Sequence, residues 1–392
     1  MKIIIAPDSF KGSLTSTEAA HAIACGVRDA APHATLVEIP LADGGEGSVE
    51  AVAKRLDAQI VTIDTVNPLM KKMTAKYAIA ETAEGKTAII ETAAASGLNT
   101  VSRDERDIMA SSTFGTGLII ADAFSRGCRN FIIGLGGSAT NDAGTGILAA
   151  LGYRLIDRNG KTLTPSGASL SELAHIVASR DADALRDCRF TLMCDVDNPL
   201  YGESGAAFTF AAQKGASPQQ IEQLDLGLRN WSRCVTRDLG IDVADLPGAG
   251  AAGGLGAMFA AFFNAEMRSG IEMVLDLAGF DDELHDADLV ITGEGHMDAQ
   301  TLHGKVPMGV LRHARRAAVP VIALSGAIDH CEEFDRAGMS GVFSIQPSPV
   351  SLDEAMQRET ASRNLRSTST QIMQLIKAFT CLLYTSPSPR DR

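Results

Sequence analysis

A chain of 392 residues with a formal net charge of −13, 45% hydrophobic and 21% charged residues has the make-up of a soluble globular enzyme of two or three domains. It carries no Lys/Arg run that would form the basic face of a nucleic-acid or acidic-membrane binder, so an anionic substrate has to be held by local cations and backbone N–H groups. Aromatic residues are only 5% while glycine reaches 37 residues, which favours tightly packed α/β layers over an aromatic-rich binding surface.

In chain order, Lys2 to Ala6 reads as a buried parallel strand, and Ser16 or Thr17 as the cap of a helix whose apolar face is Ala19, Ala20, Ile23, Ala24 and Val27. Asp8-Ser9-Phe10-Lys11-Gly12 then forms a loop at the strand's carboxyl end. Leu36 to Pro40 is a second strand, followed by the polar turn Asp43, Gly44, Gly45, Glu46, Gly47 and a helix. From about Gln59 the pattern changes. Ile60–Asp64, Met73–Ala80 and Thr87–Glu91 alternate as strands of an antiparallel meander, with turns at Asn67-Pro68 and Glu84-Gly85. Strands at Asn130–Leu135 and Phe190–Cys194, a helix over 217–238 and a Gly/Ala loop at 248–256 leading into a helix complete this middle region. The uncharged stretch Leu246–Ala265 contains five glycines and Pro247, which marks a loop feeding a buried helix rather than a membrane span.

The parallel pattern returns after Asp288 in DLVITGEGHMDAQTLHGKVP. Leu289–Ile291 is the strand, TGEG a Gly-rich turn, and Pro307 opens the next helix. Strand, turn, helix is the arrangement that places ligands at the carboxyl end of an α/β sheet. Strands Val319–Leu324 and Val342–Ile345 and a last helix over about 352–379 follow. Two strands at the front and three at the back suit one doubly wound five-stranded sheet built from both chain ends. That places residues 1–60 and 281–380 in one domain and inserts 61–280 as a second α/β domain with a mixed sheet. The tail CLLYTSPSPRDR, 381–392, lies beyond that helix, carries two prolines and resembles translated sequencing-adapter read-through; it is set aside from function.

The seven cysteines form no CxxC pair and are irregularly spaced, which implies neither a disulfide framework nor a zinc site and fits a reducing cytoplasm. The apolar run of MKIIIAPDSF is too short for a signal peptide. GxGxxG at Gly248, Gly250 and Gly253 follows DLP rather than a strand and lacks the unit that makes a dinucleotide site. Gly85-Lys86-Thr87 and Gly160-Lys161-Thr162 echo a P-loop ending, but Ala80 and Leu155 stand where its first glycine belongs. What remains is a set of polar glycine loops: PDSFKG, ADGGEGS, SSTFGTG, GLGGSATNDAGTG, CDVDNPL, PGAGAAGGLG and TGEGHMDAQTLHGKVP. Ordinary turns are shorter and less glycine-dense.

These seven loops in this order, with GIEMVLDL at 270–277, closely resemble the bacterial glycerate kinase family of the first type, from Met1 to about Phe379. Ala143 and Ser48 depart from it, standing where Gly and Thr look commoner. The resemblance implies a discontinuous flavodoxin-like domain interrupted by a second α/β domain. It also implies ATP-dependent phosphorylation of D-glycerate, most often to 2-phosphoglycerate, in organic-acid catabolism. ATP and Mg2+ are the implied cofactors, with no nucleic-acid or membrane partner; monomer and homodimer both stay open. A 3-kinase, or a non-catalytic phosphometabolite-binding protein using the same loops, is the alternative.

Phosphoryl transfer needs positioning and charge neutralisation more than covalent chemistry. Lys11 and Lys305 are the candidate cations, with solvent-facing lysines as the alternative. Asp8, Asp195 and Asp298 are the base or metal candidates, with Asp195 and Asp298 as the metal pair, against turn or helix capping. Ser9, Asp43, Gly44, Gly45 and Glu46 at the front, Gly136, Gly137, Ser138, Thr140, Asn141, Asn198, Gly253 and Gly254 in the middle, and Gly293, Glu294, Gly295, Gln300 and Thr301 at the back supply substrate- or nucleotide-binding groups. His296 reads as a loop residue rather than a base.

Overall fold

The structure, a computed structural model, describes residues 1–41, 56–179, 182–302, 305–329 and 331–385. The chain opens with strand β1 (Lys2–Ile5), helix α1 (Ser16–Ala30) and β2 (Thr35–Glu38). The middle holds β3 (Gln59–Val66), β4 (Lys72–Thr82), β5 (Gly85–Glu91), α2 (Phe114–Ser125), β6 (Asn130–Gly134), α3 (Thr145–Ala150), β7 (Arg154–Asp157), β8 (Leu173–Val177), β9 (Arg189–Met193), α4 (Pro218–Leu239), α5 (Ala251–Phe263) and β10 (Glu266–Arg268). The end holds β11 (Leu289–Met297), α6 (Val306–Arg316), β12 (Val321–Ile328), β13 (Gly341–Ser344) and α7 (Arg358–Thr385). These elements fall into two compact units, Met1–Asp43 with Val274–Arg392, and Gly44–Met273.

The first unit is a five-stranded sheet in the order β13-β12-β11-β1-β2, parallel throughout. The front and back strands therefore meet in one sheet, as their apolar runs imply. Numbered within the unit the order is 2-1-3-4-5, whose switch point lies between β1 and β11; ligands of such sheets bind outside the carboxyl ends of the strands at that point. Ile3 faces Leu289 on one side and Leu36 on the other, and Ile3, Ile4 and Ile5 are fully buried, as a sheet covered on both faces demands. Pairing continues past β1: the Asp8 N–H donates to the Gly293 carbonyl at 2.8 Å and the Leu41 N–H to the Pro7 carbonyl at 3.0 Å. Helix α1 starts one residue earlier than its sequence suggests. Thr15, not Ser16 or Thr17, is the cap, because its hydroxyl takes the Glu18 N–H while Glu18 returns a bond to the Thr15 N–H.

The second unit is a mixed six-stranded sheet, β10-β9-β6-β5-β4-β3. The meander β3-β4-β5 is antiparallel, and pairing turns parallel from β5 to β6, β9 and β10. Asn67 makes the first turn, its side-chain oxygen accepting the Leu69 and Lys71 N–H groups, both at 3.0 Å. Phe131 and Phe190 stack at 4.7 Å in the core. Helix α4 falls within one residue of expectation, set by the Ser217 capping box and Pro218. The two-stranded sheet β7-β8 and the short strand β10 have no counterpart in the sequence reading.

Two expectations fail at the back of the chain. TGEG is not a turn: β11 runs on through it to Met297 and stays in register with β12 as far as Ile328. The last helix is broken, a short turn at Leu352–Ala355 preceding α7, and α7 extends to Thr385, into the stretch set aside as a tail.

Helix α7 packs on α1 at Gly26, where a Cβ would come 2.2 Å from the Arg366 carbonyl oxygen. Gly26→Ala is expected to lower the unfolding free energy by about 1–3 kcal/mol, the usual cost of overpacking. Urea denaturation checks it, and unchanged stability would show that the two helices can separate without penalty.

Candidate active site

The back strand and the front loop converge at the switch point. Gly293 lets β11 lie close to β12, since a Cβ there would stand 2.0 Å from the Leu324 carbonyl oxygen. Glu294, the next residue, is 6% exposed. One of its oxygens accepts the Thr301 hydroxyl at 2.6 Å and the other lies 3.6 Å from the Lys305 ammonium. Lys305 also reaches Asp298 at 3.3 Å. Asp298 and Thr301 bond reciprocally, each side chain taking the other's N–H at 3.1 Å. Four residues spread over twelve positions thus form one network. Burial pushes the Glu294 carboxyl up from its ordinary range, as does the Asp298 charge, while the Thr301 hydrogen bond and the Lys305 and Lys11 charges pull it back.

These groups border a cavity of about 530 Å³, lined on its polar side by Ser9, Lys11, Glu294, Gly295, Asp298 and Lys305. Asp8 is 5% exposed and accepts the Ser9 N–H at 2.6 Å. Of the front candidates Ser9 and Lys11 line it, and of the back candidates Glu294, Gly295, Asp298 and Lys305, with Thr301 joined to them through Glu294. Gln300 lies in the short helix Ala299–Leu302. His296, also at the cavity, pairs with Asp329 at 3.0 Å. Asp43, Gly44, Gly45 and Glu46 lie outside the described residues.

The second unit holds the other candidates. Gly253 and Gly254 follow Ala252 in the left-handed region, with φ of 71° and 95°, and a Cβ on Gly253 would meet the Thr140 carbonyl oxygen at 2.2 Å. The 250–254 turn thus rests on the Ser138–Asp142 loop, tied by the Ala143 N–H to the Gly253 carbonyl at 3.0 Å. Gly136 and Gly137 are exposed, while Ser138, Thr140 and Asn141 are buried. Among the described residues, the Thr140 hydroxyl and both polar atoms of the Asn141 side chain have no partner at hydrogen-bond distance. Asp195 accepts the Ser269 hydroxyl at 2.8 Å and the Gly270 N–H at 2.9 Å, a contact at the start of the helix Gly270–Leu277. Asn198 donates to the Ser204 carbonyl at 2.7 Å, closing its own loop. Among the described residues there is no group of three or more His, Cys, Asp and Glu side chains placed to hold a metal.

Two buried charges escaped the sequence reading. Asp142 sits inside a recognised loop and is fully buried, accepting the Thr113 N–H and hydroxyl and the N–H groups of Gly144 and Gly146 at 2.8–3.1 Å. Burial pushes its carboxyl up against those hydrogen bonds. Lys214 is 3% exposed and donates to the Ser138 hydroxyl at 2.9 Å and the Thr140 carbonyl at 2.8 Å. Burial brings its amine down to about 7, with the Asp142 charge opposing. Its only sequence signal was a lone cation in the Ala-rich run AAQKGA.

An amine depressed in the fold leaves the unfolded chain holding the extra proton between about pH 7 and the ordinary lysine value of 10.5. Unfolding free energy therefore rises with pH across that window, by up to about 1.4 kcal/mol per unit. Lys214→Met abolishes this contribution. The stability of the native chain relative to the variant is expected to grow from about pH 7 to pH 9 in urea denaturation; parallel pH profiles would contradict a neutral buried amine.

A sequence profile described as the glycerate kinase family matches residues 3–377. Glycerate 2-kinase of Escherichia coli K12 is 44% identical over 374 residues, covering 94% of this chain and 98% of that one. A glycerate kinase of Halalkalibacterium halodurans is 43% identical over 369 residues, 93% and 97% of the two chains. A crystal structure from Salmonella typhimurium LT2, provisionally named glycerate kinase 2, superposes with a TM-score of 0.86 at 44% identity, over 97% of this chain and 99% of that one. With its seven glycine loops, two-unit architecture and full-length similarity, the chain belongs to the glycerate kinase family, a family of kinases.

Proposed function

We propose that the chain transfers the terminal phosphoryl group of ATP to the 2-hydroxyl of D-glycerate, with Mg2+, as part of organic-acid breakdown. The observation that carries this is the network of Glu294, Asp298, Thr301 and Lys305 at the switch-point cavity, with Lys11 on the facing loop. Two ammonium groups can neutralise phosphate oxygens, and two carboxylates can hold a cation and take a proton. That is the full set of parts phosphoryl transfer asks of a protein. The position on glycerate is supported by the Escherichia coli relative's name.

The residues fit Mg2+ of the kind that relies on phosphate. Mg2+ is usually held by one or two carboxylates plus substrate phosphates and waters, not by an all-protein cage. Asp298, less buried than Glu294, is the carboxylate assigned to it. When bound, the ion would draw charge off the transferring phosphoryl group. Glu294 is assigned as the base, because a carboxyl raised by burial accepts a hydroxyl proton better near neutral pH. The Thr301 hydroxyl fixes one of its oxygens, leaving the other toward Lys305. Lys305 balances both carboxylates before substrate arrives and can turn to phosphate once it does. Asp8 sets the front loop through Ser9, and Lys11 supplies the second cation.

Lys305→Ala and Asp298→Ala are each expected to lower kcat/KM for glycerate by about 10²–10⁴-fold, the range for a charge-stabilising or acid–base group. Asp298→Ala is also expected to shift the Mg2+ dependence to higher concentration and to cost about 1 kcal/mol of stability through the lost Thr301 cap. Steady-state kinetics at varied Mg2+, a urea titration and phosphorus NMR of the product check these points. Near-normal turnover in both variants would remove the network from the reaction, and 3-phosphoglycerate as product would overturn the position assigned.

A further inference from the structure

The cavity at the switch point is two-faced. Its polar end carries Lys11, Glu294, Asp298 and Lys305, and its other end is apolar: Phe10, Ile345, Val350, Leu352, Met356 and Ala361. Three of these apolar side chains stand well out in solvent, Leu352 at 73% exposure, Val350 at 38% and Met356 at 37%. Leu352 and Met356 are four residues apart on the short helical turn that interrupts the chain before α7, so they share a face. Single exposed apolar residues are ordinary, but several gathered around one cavity mark a binding surface. Gly12 ties this wall to the Lys11 loop: it sits at φ of 78°, and a Cβ there would come 2.6 Å from the tip of Met356.

A three-carbon hydroxy acid has no apolar surface to offer this wall, nor the size to need it. The cavity, about 530 Å³, lies in the range of pockets for larger ligands. Its direction is set by the sheet. Ile345 follows β13, Glu294 is on β11 and Lys11 follows β1, so the cavity crosses three strand-to-strand steps. At about 4.8 Å a step that is roughly 14 Å, the reach of a nucleotide from base to phosphates.

We infer that the wall of Phe10, Ile345, Val350, Leu352 and Met356 is the nucleobase subsite of the phosphoryl donor, with the donor's phosphates at Lys11 and Lys305. This rests on the phosphoryl-transfer reading of the same cavity and adds where the donor's base lies. The flexible thioether of Met356 and the branched Leu352 can close over an aromatic face without a dedicated aromatic stack, the sort of adaptable contact methionine gives. A wall that recognises shape and apolar area discriminates weakly among purines. It separates a nucleotide strongly from a bare polyphosphate.

Two measurements test this. Light-driven labelling of the native chain by 8-azido-ATP is expected to mark the 345–361 peptide, with ATP protecting and inorganic tripolyphosphate protecting much less. Label confined to any other peptide would overturn the subsite, whether or not the chain phosphorylates glycerate. Second, the exposed double variant Leu352→Asp, Met356→Ser is expected to raise the KM for ATP about tenfold while leaving the KM for glycerate unchanged. An unchanged KM for ATP, or a rise confined to glycerate, would assign the wall to something other than the base. Absence of any glycerate-dependent ATP turnover in the native chain would instead sink the phosphoryl-transfer reading, leaving the labelling result to decide the subsite alone.

Discussion

The close approach of backbones at the carboxyl end of β11 decides where the first unit's network of buried charge can form. Side chains on Gly293 or Gly326 would strike the Leu324 or Gly295 carbonyl, at 2.0 and 2.7 Å. Because neither has one, β11 keeps its ladder with β12 to the end, and on its other edge the Gly293 carbonyl takes the Asp8 N–H. The strand thus runs beyond the last residue of β1 and carries Glu294 into the switch-point crevice instead of turning away before it. Burial of that carboxyl would be costly alone; Thr301 and Lys305 offset it, and Asp298 shares the lysine. Backbone geometry fixes where the charge sits, and the charge network then fixes what it can do.

The second unit handles buried charge differently. Asp142 is closed in by four hydrogen bonds from loop backbone and Thr113, and Lys214 spends its protons on the Ser138 hydroxyl and the Thr140 carbonyl. Each is held as a fastening of the glycine-rich loop rather than as a reactive group open to solvent. Left-handed backbone at Ala252, Gly253 and Gly254 completes the fastening by letting a second loop rest on the first. The loops that made the family legible are thus, in this unit, fastened by Asp142 from within one of them and by Lys214, which lies in no motif of its own. The Asn141 amide and Thr140 hydroxyl are the buried polar atoms this fastening leaves without a partner among the described residues.

Much of this was legible in the sequence, for physical reasons. Apolar runs at Lys2–Ala6 and Leu289–Ile291, each just before a polar glycine loop, read as buried parallel strands, and the two pair in one sheet. The amphipathic period over 217–238 places α4 within a residue. Asp298 and Lys305 were found because seven residues around a helix start bring side chains to one place. What was missed lay in tertiary contacts. TGEG reads as a turn by local glycine content, yet its neighbours in β12 make it a strand. Lys214 has no local signature because its partners stand more than seventy residues away. In the sequence Glu294 reads as a binding residue, and only its burial beside Thr301 and Lys305 marks it as the group with the altered proton affinity.

Glu294 is the central member of the network, and a pH profile reads its role in the proposed transfer. If this buried carboxylate is the base, kcat/KM for glycerate falls on the acid side with a midpoint above the ordinary carboxylate range, because burial raises its proton affinity. Glu294→Gln, which keeps the shape and a hydrogen bond to Thr301, should then lower kcat/KM by about 10²–10⁴-fold and flatten that limb, with a melting curve close to the native one. A folded Gln variant with near-native turnover and the same acid limb would show that the proton is taken elsewhere and would remove the network's central member from the chemistry.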